Sequence, residues 1–315
     1  MLRTRLRTRV CQISTRNKVS LPANFGWQPT DFAIYGSGVG GYSTTYDPKD
    51  DKPTGTTKWV DNVNGSDSND GNTEGTAYKT IDAAVSAGAV VVNIKPGNYW
   101  RNDAMTAGFE PTSDIALVAV DGAGTVKISR AEDFSDLPSW TSEGLNTYST
   151  TRSNVRTVLD LDDAGHATRT LTDGLTPVPV PMEKVADLAA VQAHAGKAWA
   201  QVGSTLYVKT HDGRAPDIDV LPILIERNIR IVNRDITLYL EGLEIWGDRP
   251  LFMDYGTTDN DARVVAVDCG FRYSGDFDNV YLDGCKNSRL IRCKTSHQLS
   301  SDDGSRRSPA KGGVW

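Results

Sequence analysis

From Lys58 onward the apolar positions come in short bursts separated by turn formers, too brief for helices of ordinary length. Trp59-Val60-Asp61 reads as a short strand. The run Asn64-Gly65-Ser66-Asp67-Ser68-Asn69-Asp70-Gly71-Asn72 follows, and its side chains favour turns by bonding their own backbone. Residues 80–88 then predict one short helix, with Thr80 as N-cap, Ile81, Ala84 and Val85 on one apolar face, and Gly88 as the stop. A β-branched strand at residues 90–94 ends at Lys95-Pro96-Gly97-Asn98-Tyr99.

A second pattern lies near the other end. Leu243-Glu244-Ile245, Cys269-Gly270-Phe271 and Cys293-Lys294-Thr295 recur at spacings of 26 and 24 residues, each behind a short alternating or β-branched strand. One such unit cannot bury its apolar side alone, so the recurrence predicts stacking repeats. Leu243, Cys269 and Cys293 then form one interior ladder, and Ile245, Phe271 and Thr295 the next. The two cysteines read as small core residues within that stack.

Residues 131–222 have a different texture: a helix-like stretch at 183–196 and two strands flanking Gly203-Ser204 that fit a two-residue hairpin. This is read as a β-rich insertion. The repeats resume near Ile218 and run through residues 229–232 and 236–240. Before Lys58, residues 20–58 are rich in Gly, Pro, Ser, Thr and Asp with isolated aromatics, and predict an extended segment. Gly36-Ser37-Gly38-Val39-Gly40-Gly41 matches the spacing of a dinucleotide loop. The Tyr-Ser-Thr-Thr-Tyr-Asp-Pro that follows will not make the helix such a loop requires, so it reads as a turn.

Charge divides the chain. Residues 1–30 hold six basic residues and no acidic one, whereas the whole chain is −6, which leaves −12 for the rest. An acidic body argues against a nucleic-acid or anionic-membrane surface. The basic leader has no apolar stretch behind it and is no usable secretory signal. It reads as a disordered arm, with a mis-assigned start or a docking arm as alternatives. No 18-residue apolar run exists, which excludes a membrane-spanning helix. Cys11, Cys269, Cys285 and Cys293 form no CxxC pair, so neither a zinc site nor a disulfide framework is expected, and they leave the compartment open.

The segment WVDNVNGSDSNDGNTEGTAYKTIDAAVSAGAVVVNIKPGNYW, residues 59–100, resembles the opening of the pectin-lyase-like right-handed parallel β-helix superfamily. The shared features are the Gly-x-Asp-x-x-Asp-Gly turn, the KTIDAAV helix and the VVNIKPGNY strand. The resemblance implies an all-β, right-handed parallel β-helix solenoid with a short N-terminal capping helix and a β-rich insertion. Its parts would be an arm and extended segment at 1–57, cap and first coils at 58–130, the insertion at 131–222, further coils at 223–304, and an uncapped tail at 305–315. That polar tail leads to the expectation of truncation or a frame shift near Asp303; a capped protein and an end completed in a homotrimer are the alternatives. By the same analogy the protein is extracellular or virion-associated.

The superfamily includes polysaccharide lyases, glycosidases, epimerases and phage tailspikes. The functions implied are polysaccharide binding with lyase or hydrolase activity, a tailspike or surface fibre without catalysis, or an inactive fragment of either. Enzymes of this group place charges on the outward faces of successive strands, about 4.8 Å apart. The candidates here are Arg272, Asp276, Asp278 and Asp283 on one coil, and Arg292 and Lys294 on the next. Of these, Arg272, Asp276, Arg292 and Lys294 are assigned to substrate. Asp302 and Asp303 form a candidate carboxylate pair for general acid work, or else an Asx turn at a corner. His297 is a proton carrier or a solvated loop histidine. Asp67 and Asp70, with Asn69 and Asn72, offer oxygen ligands for Ca²⁺, or cap the turn that contains them. The sequon Asn64-Gly65-Ser66 means little without a signal peptide.

Overall fold

The computed structural model describes residues 17–18, 34–36, 42–100, 109–129, 140–161, 181–217, 219–225, 227–232, 234–254, 262–274, 279–282 and 288–296. The chain divides into two units, Met1–Asp51 and Lys52–Trp315. In the first, Ile34–Gly36 pairs antiparallel with both Asn17–Lys18 and Tyr42–Thr44. A strand, not a helix, thus follows the glycine-rich run, whose residues 37–41 lie outside the described residues.

The described part of the second unit is mostly β-strand with few helices, and its larger sheets are mostly parallel. This bears out the all-β class. A six-stranded parallel sheet runs in the order Arg289–Ile291, Arg263–Val267, Thr237–Glu241, Ile115–Ala119, Val91–Ile94 and Thr57–Val60. A five-stranded parallel sheet runs Lys294–Ser296, Gly270–Arg272, Leu243–Trp246, Val126–Ser129 and Gly97–Tyr99. A third, of three parallel strands, holds Arg227–Val232, Arg249–Asp254 and Val280–Leu282. From Thr237 onward the chain visits these sheets in rotation, six-stranded, five-stranded, three-stranded, and then again.

The register matches the spacing read from the sequence. Ile245 pairs with Phe271, and Phe271 with Thr295. The same column continues the other way through Ile128 to Tyr99. Leu243 pairs with Val126. In the six-stranded sheet Val92, Leu117, Leu240, Ala266 and Leu290 form a parallel column. All these columns feed one core in which Val92, Leu117, Leu240, Leu243, Ile245 and Phe271 are wholly buried. Each large member contributes about 1.5–3 kcal/mol on burial.

The short helix is Ile81–Ser86, capped by the Thr80 hydroxyl accepting from the Ala83 N–H. Ile81 and Ala84 are buried and Val85 packs beside them. It ends as Gly88, at φ +78°, donates to the Val85 carbonyl.

Antiparallel structure interrupts the parallel stack between neighbouring strands. Thr147–Thr151, Thr205–Lys209 and Ala198–Val202 lie in a five-stranded sheet with Thr141–Gly144 and Glu183–Lys184. Val202 pairs with Thr205 across Gly203-Ser204, the predicted two-residue hairpin. The helix-like stretch at 183–196 resolves into that short strand and a helix, Leu188–Ala193, capped by Asp187. A two-stranded antiparallel ribbon joins Val155–Asp160 to Val220–Leu224. Parallel pairing resumes only at Arg227–Val232. Strands Ile115–Ala119 and Thr237–Glu241 are nevertheless direct neighbours.

Candidate functional site

Side chains alternate along a strand, so every second residue of the five-stranded parallel sheet points away from the core. One outward row is Asn98, Lys127, Glu244, Gly270 and Lys294, aligned strand by strand. The next outward row holds Ser129, Trp246 and Arg272.

Glu244 and Arg272 are the centre of this face. The Arg272 guanidinium donates through Nε to Oε2 at 2.6 Å and through a terminal nitrogen to Oε1 at 3.0 Å. The Trp246 indole N–H donates to the same Oε2 at 3.3 Å. Arg272 is fully buried and Glu244 nearly so. A carboxylate gripped by a two-pronged guanidinium is held in one place and orientation, which suits a positioning role.

Lys127 stands beside this pair. Its Nζ lies 5.8 Å from the centre of the Trp246 ring and 3.5 Å from Asn98 Oδ1. Burial lowers its pKa below the ordinary lysine value, opposed by the charge of Glu244. A half-buried amine of that kind gives up its proton more readily than an exposed lysine, and while protonated it attracts anions.

The antiparallel ribbon roofs the aromatic part of the face. Leu159, Leu221 and Ile223 cluster with Trp100, Trp246 and Tyr273. Trp246 sits 6.0 Å from Trp100 and meets Tyr273 edge-on at 5.4 Å. Burial pushes the Tyr273 phenol far above its ordinary pKa. Arg156 of the ribbon donates to Asp248 Oδ1 at 2.7 Å, just past the Leu243–Trp246 strand.

The candidates drawn from the sequence fall in several places. Arg272 does point away from the core, but it is fully buried and its guanidinium holds Glu244, so it does not face solvent. Lys294 shares the outward row with Glu244, one strand beyond Gly270. Arg292 lies at the adjoining corner and forms two 2.6 Å contacts with Asp268. Asp276, Asp278, Asp283, His297, Asp302 and Asp303 lie outside the described residues. Glu244, Lys127 and Trp246 were missed. The signal for Glu244 was the alternation of Leu243-Glu244-Ile245 itself, which turns the middle residue outward.

Asp67 and Asp70 brace turns. Asp67 accepts from the Lys79 and Thr80 N–H groups and from the Thr80 hydroxyl. Asp70 accepts from the Asn72 N–H and side chain and from the Thr76 hydroxyl. The Asn72 N–H leads in holding Asp70 below its ordinary pKa. Among the described residues no three His, Cys, Asp or Glu side chains gather to hold a metal ion. Close by, an open cleft of about 410 Å³ is lined by Asp61, Asn64, Glu74, Gly75 and Lys95. Its lysine is already paired, 2.7 Å from Glu74 and 3.5 Å from Asp61. Among the described residues no helix is long and apolar enough to cross a membrane.

No family model matches this chain, and no curated protein is similar to it. A solved structure described as "The complex structure of XylC with xylose" is similar at 12% identity, with a TM-score of 0.39. The match covers 78% of this chain and 54% of that one, so the chain spans about half the length of that protein.

Proposed function

We propose that residues from Lys58 onward wind into a right-handed parallel β-helix, of the pectin-lyase-like kind, that binds a polysaccharide along one outward sheet face. The observation that carries the fold is the rotation of the chain through three parallel sheets, with Ile245, Phe271 and Thr295 in one column at spacings of 26 and 24 residues. Short strands repeating at that period bury their apolar sides only by stacking. The resemblance of residues 59–100 to the opening of that superfamily adds to it.

The sugar reading is supported by the outward row. Asn98, Lys127 and Lys294 line up beside the Glu244–Arg272 pair, and the antiparallel ribbon packs on Trp246 of the adjoining row. An amide followed by two amines favours acidic sugars over neutral ones. For cleavage, Asp302, Asp303 and His297 are the proposed proton-transfer groups.

Titration calorimetry with uronate and neutral polysaccharides tests the binding. Uronate polymers should bind, and K127A/K294A should weaken them about tenfold or more, roughly 1.4 kcal/mol. A folded protein that binds no polymer of either kind overturns the reading. Unsaturated products, new reducing ends or neither then separate a lyase, a hydrolase and a non-cleaving fibre. Light scattering on the same sample reports monomer or trimer.

A further inference from the structure

Cys269 and Cys293 occupy matching positions, each immediately before one of two neighbouring parallel strands, Gly270–Arg272 and Lys294–Ser296. Gly270 pairs with Lys294 and Phe271 with Thr295, and the Lys294 N–H donates to the Cys269 carbonyl at 2.8 Å. In-register neighbours of a parallel sheet lie about 4.8 Å apart, within the 4.4–6.8 Å that a disulfide requires between α-carbons. Both thiols are free and turn into the same core. Cys293 Sγ donates to the Ala266 carbonyl at 3.2 Å, on the strand Arg263–Val267 that leads into Cys269, and Cys269 Sγ donates to the Val267 carbonyl at 3.3 Å.

The two cysteines differ in access. Cys269 is buried and Cys293 half-buried, so a small oxidant reaches Cys293 first. The hydrogen bond from Cys269 lowers the Cys293 pKa, while burial raises that of Cys269. The pair thus consists of a more readily ionised outer thiol and a protonated inner thiol beside it.

We propose that Cys269 and Cys293 are a redox-modification site, closing into a disulfide that staples two adjacent strands when a peroxide oxidises Cys293. In the first step the Cys293 thiolate attacks a peroxide oxygen, breaking the O–O bond and releasing hydroxide. This leaves a sulfenic acid. In the second step the Cys269 sulfur attacks the sulfenic sulfur, its proton leaving with the hydroxyl as water. The hydroxide takes up the proton that Cys293 first lost. Hydrogen peroxide thereby goes to two waters as two thiols become one disulfide. Nothing here depends on the sugar reading, because the site lies on the inner side of the sheet.

The test treats C11S/C285S, which keeps only the two ladder cysteines, with hydrogen peroxide and maps the peptides by mass spectrometry. The expected product is a peptide holding Cys269 joined to one holding Cys293, with the loss of two hydrogens and reversal by dithiothreitol. The joined form should melt about 5–10 °C higher than the reduced form, as suits a 24-residue loop. In C11S/C269S/C285S, Cys293 should pass on to sulfinic acid. Cys293 oxidised to sulfinic acid while Cys269 stays reduced in C11S/C285S overturns the proposal. So does a failure of either thiol to react while the protein stays folded. Mapping the unsubstituted chain repeats the measurement should C11S/C285S not fold.

Discussion

Gly270 lies directly beneath the carboxylate of Glu244, its partner on the neighbouring strand, and a β-carbon there would fall inside the envelope of both carboxylate oxygens. The glycine is what lets the Glu244 side chain lie along the sheet and meet Arg272. Gly270→Ala should therefore push Glu244 off its partner and cost about 2–4 kcal/mol, since the guanidinium stays buried without its counter-charge. Glu244→Ala strands Arg272 in the same way, whereas E244L/R272M removes both charges and should recover most of the loss. Urea denaturation checks all three; a G270A protein as stable as the parent would sink the argument.

The corner between the six- and five-stranded sheets repeats in the same backbone form. Gly242, Asp268 and Arg292 each precede the inner column and adopt φ of +73°, +53° and +51°. Two of the three are not glycine, and the ion pair between Asp268 and Arg292 holds them. Arg292 foremost keeps the Asp268 carboxyl below its ordinary pKa. The pair is largely exposed, so its loss matters little. Arg292→Gly should shift stability by less than about 1 kcal/mol, as relief of strain offsets the lost contact, whereas Arg292→Val should cost about 1–2 kcal/mol more than the glycine variant. Equal melting of the two would refute a left-handed corner.

Asp212 sets an acid limit on the turn after Thr205–Lys209. Burial draws its carboxyl upward, but the Arg214 N–H and guanidinium and the Thr210 hydroxyl outweigh it and bring the pKa to about 2. A carboxyl held below its unfolded value of 3.8 stabilises the fold above that pH, and the benefit fades as pH falls through about 2. Hydrogen exchange at residues 210–217 should quicken, relative to its intrinsic rate, between those two values and stay flat from pH 5 to 7. In Asp212→Asn the acid-induced change should disappear.

Calcium should leave the loop at 64–72 unmoved. The Asp67 and Asp70 oxygens already accept from backbone and hydroxyl donors, and an ion would have to displace them. Added Ca²⁺ or a chelator should change Tm by less than about 1 °C. Asp67→Ala, by contrast, should cost roughly 1–2 kcal/mol, because two N–H groups beside the Thr80 cap lose their acceptor. A rise of several degrees with Ca²⁺ would restore the metal reading.

The inner columns are legible in the sequence because stacking forces like positions to recur. Ile245 and Phe271 are apolar at matching places for that reason, and their pairing follows from the count of residues between them. The outer face is harder to read. Glu244 sits between two core residues, and only the position of Arg272, 28 residues later, explains its burial. Val220–Leu224 is a β-branched and aliphatic run like any stacked strand, yet it pairs antiparallel with Val155–Asp160. Periodicity cannot tell these apart, because both bury one apolar side and differ only in strand direction.

That ribbon and the sheet beside it occupy the interval between Ile115–Ala119 and Thr237–Glu241, two strands joined as if nothing separated them in sequence. The parallel sheet thus closes a long loop at this seam, and the entropy of closure rises only with the logarithm of loop length, about 0.6 kcal/mol per doubling. The seam is consequently permissive. A wall of quite different size could be grafted there at little expense to the stack, and the breadth of the outward face could change while the columns beneath stayed in register.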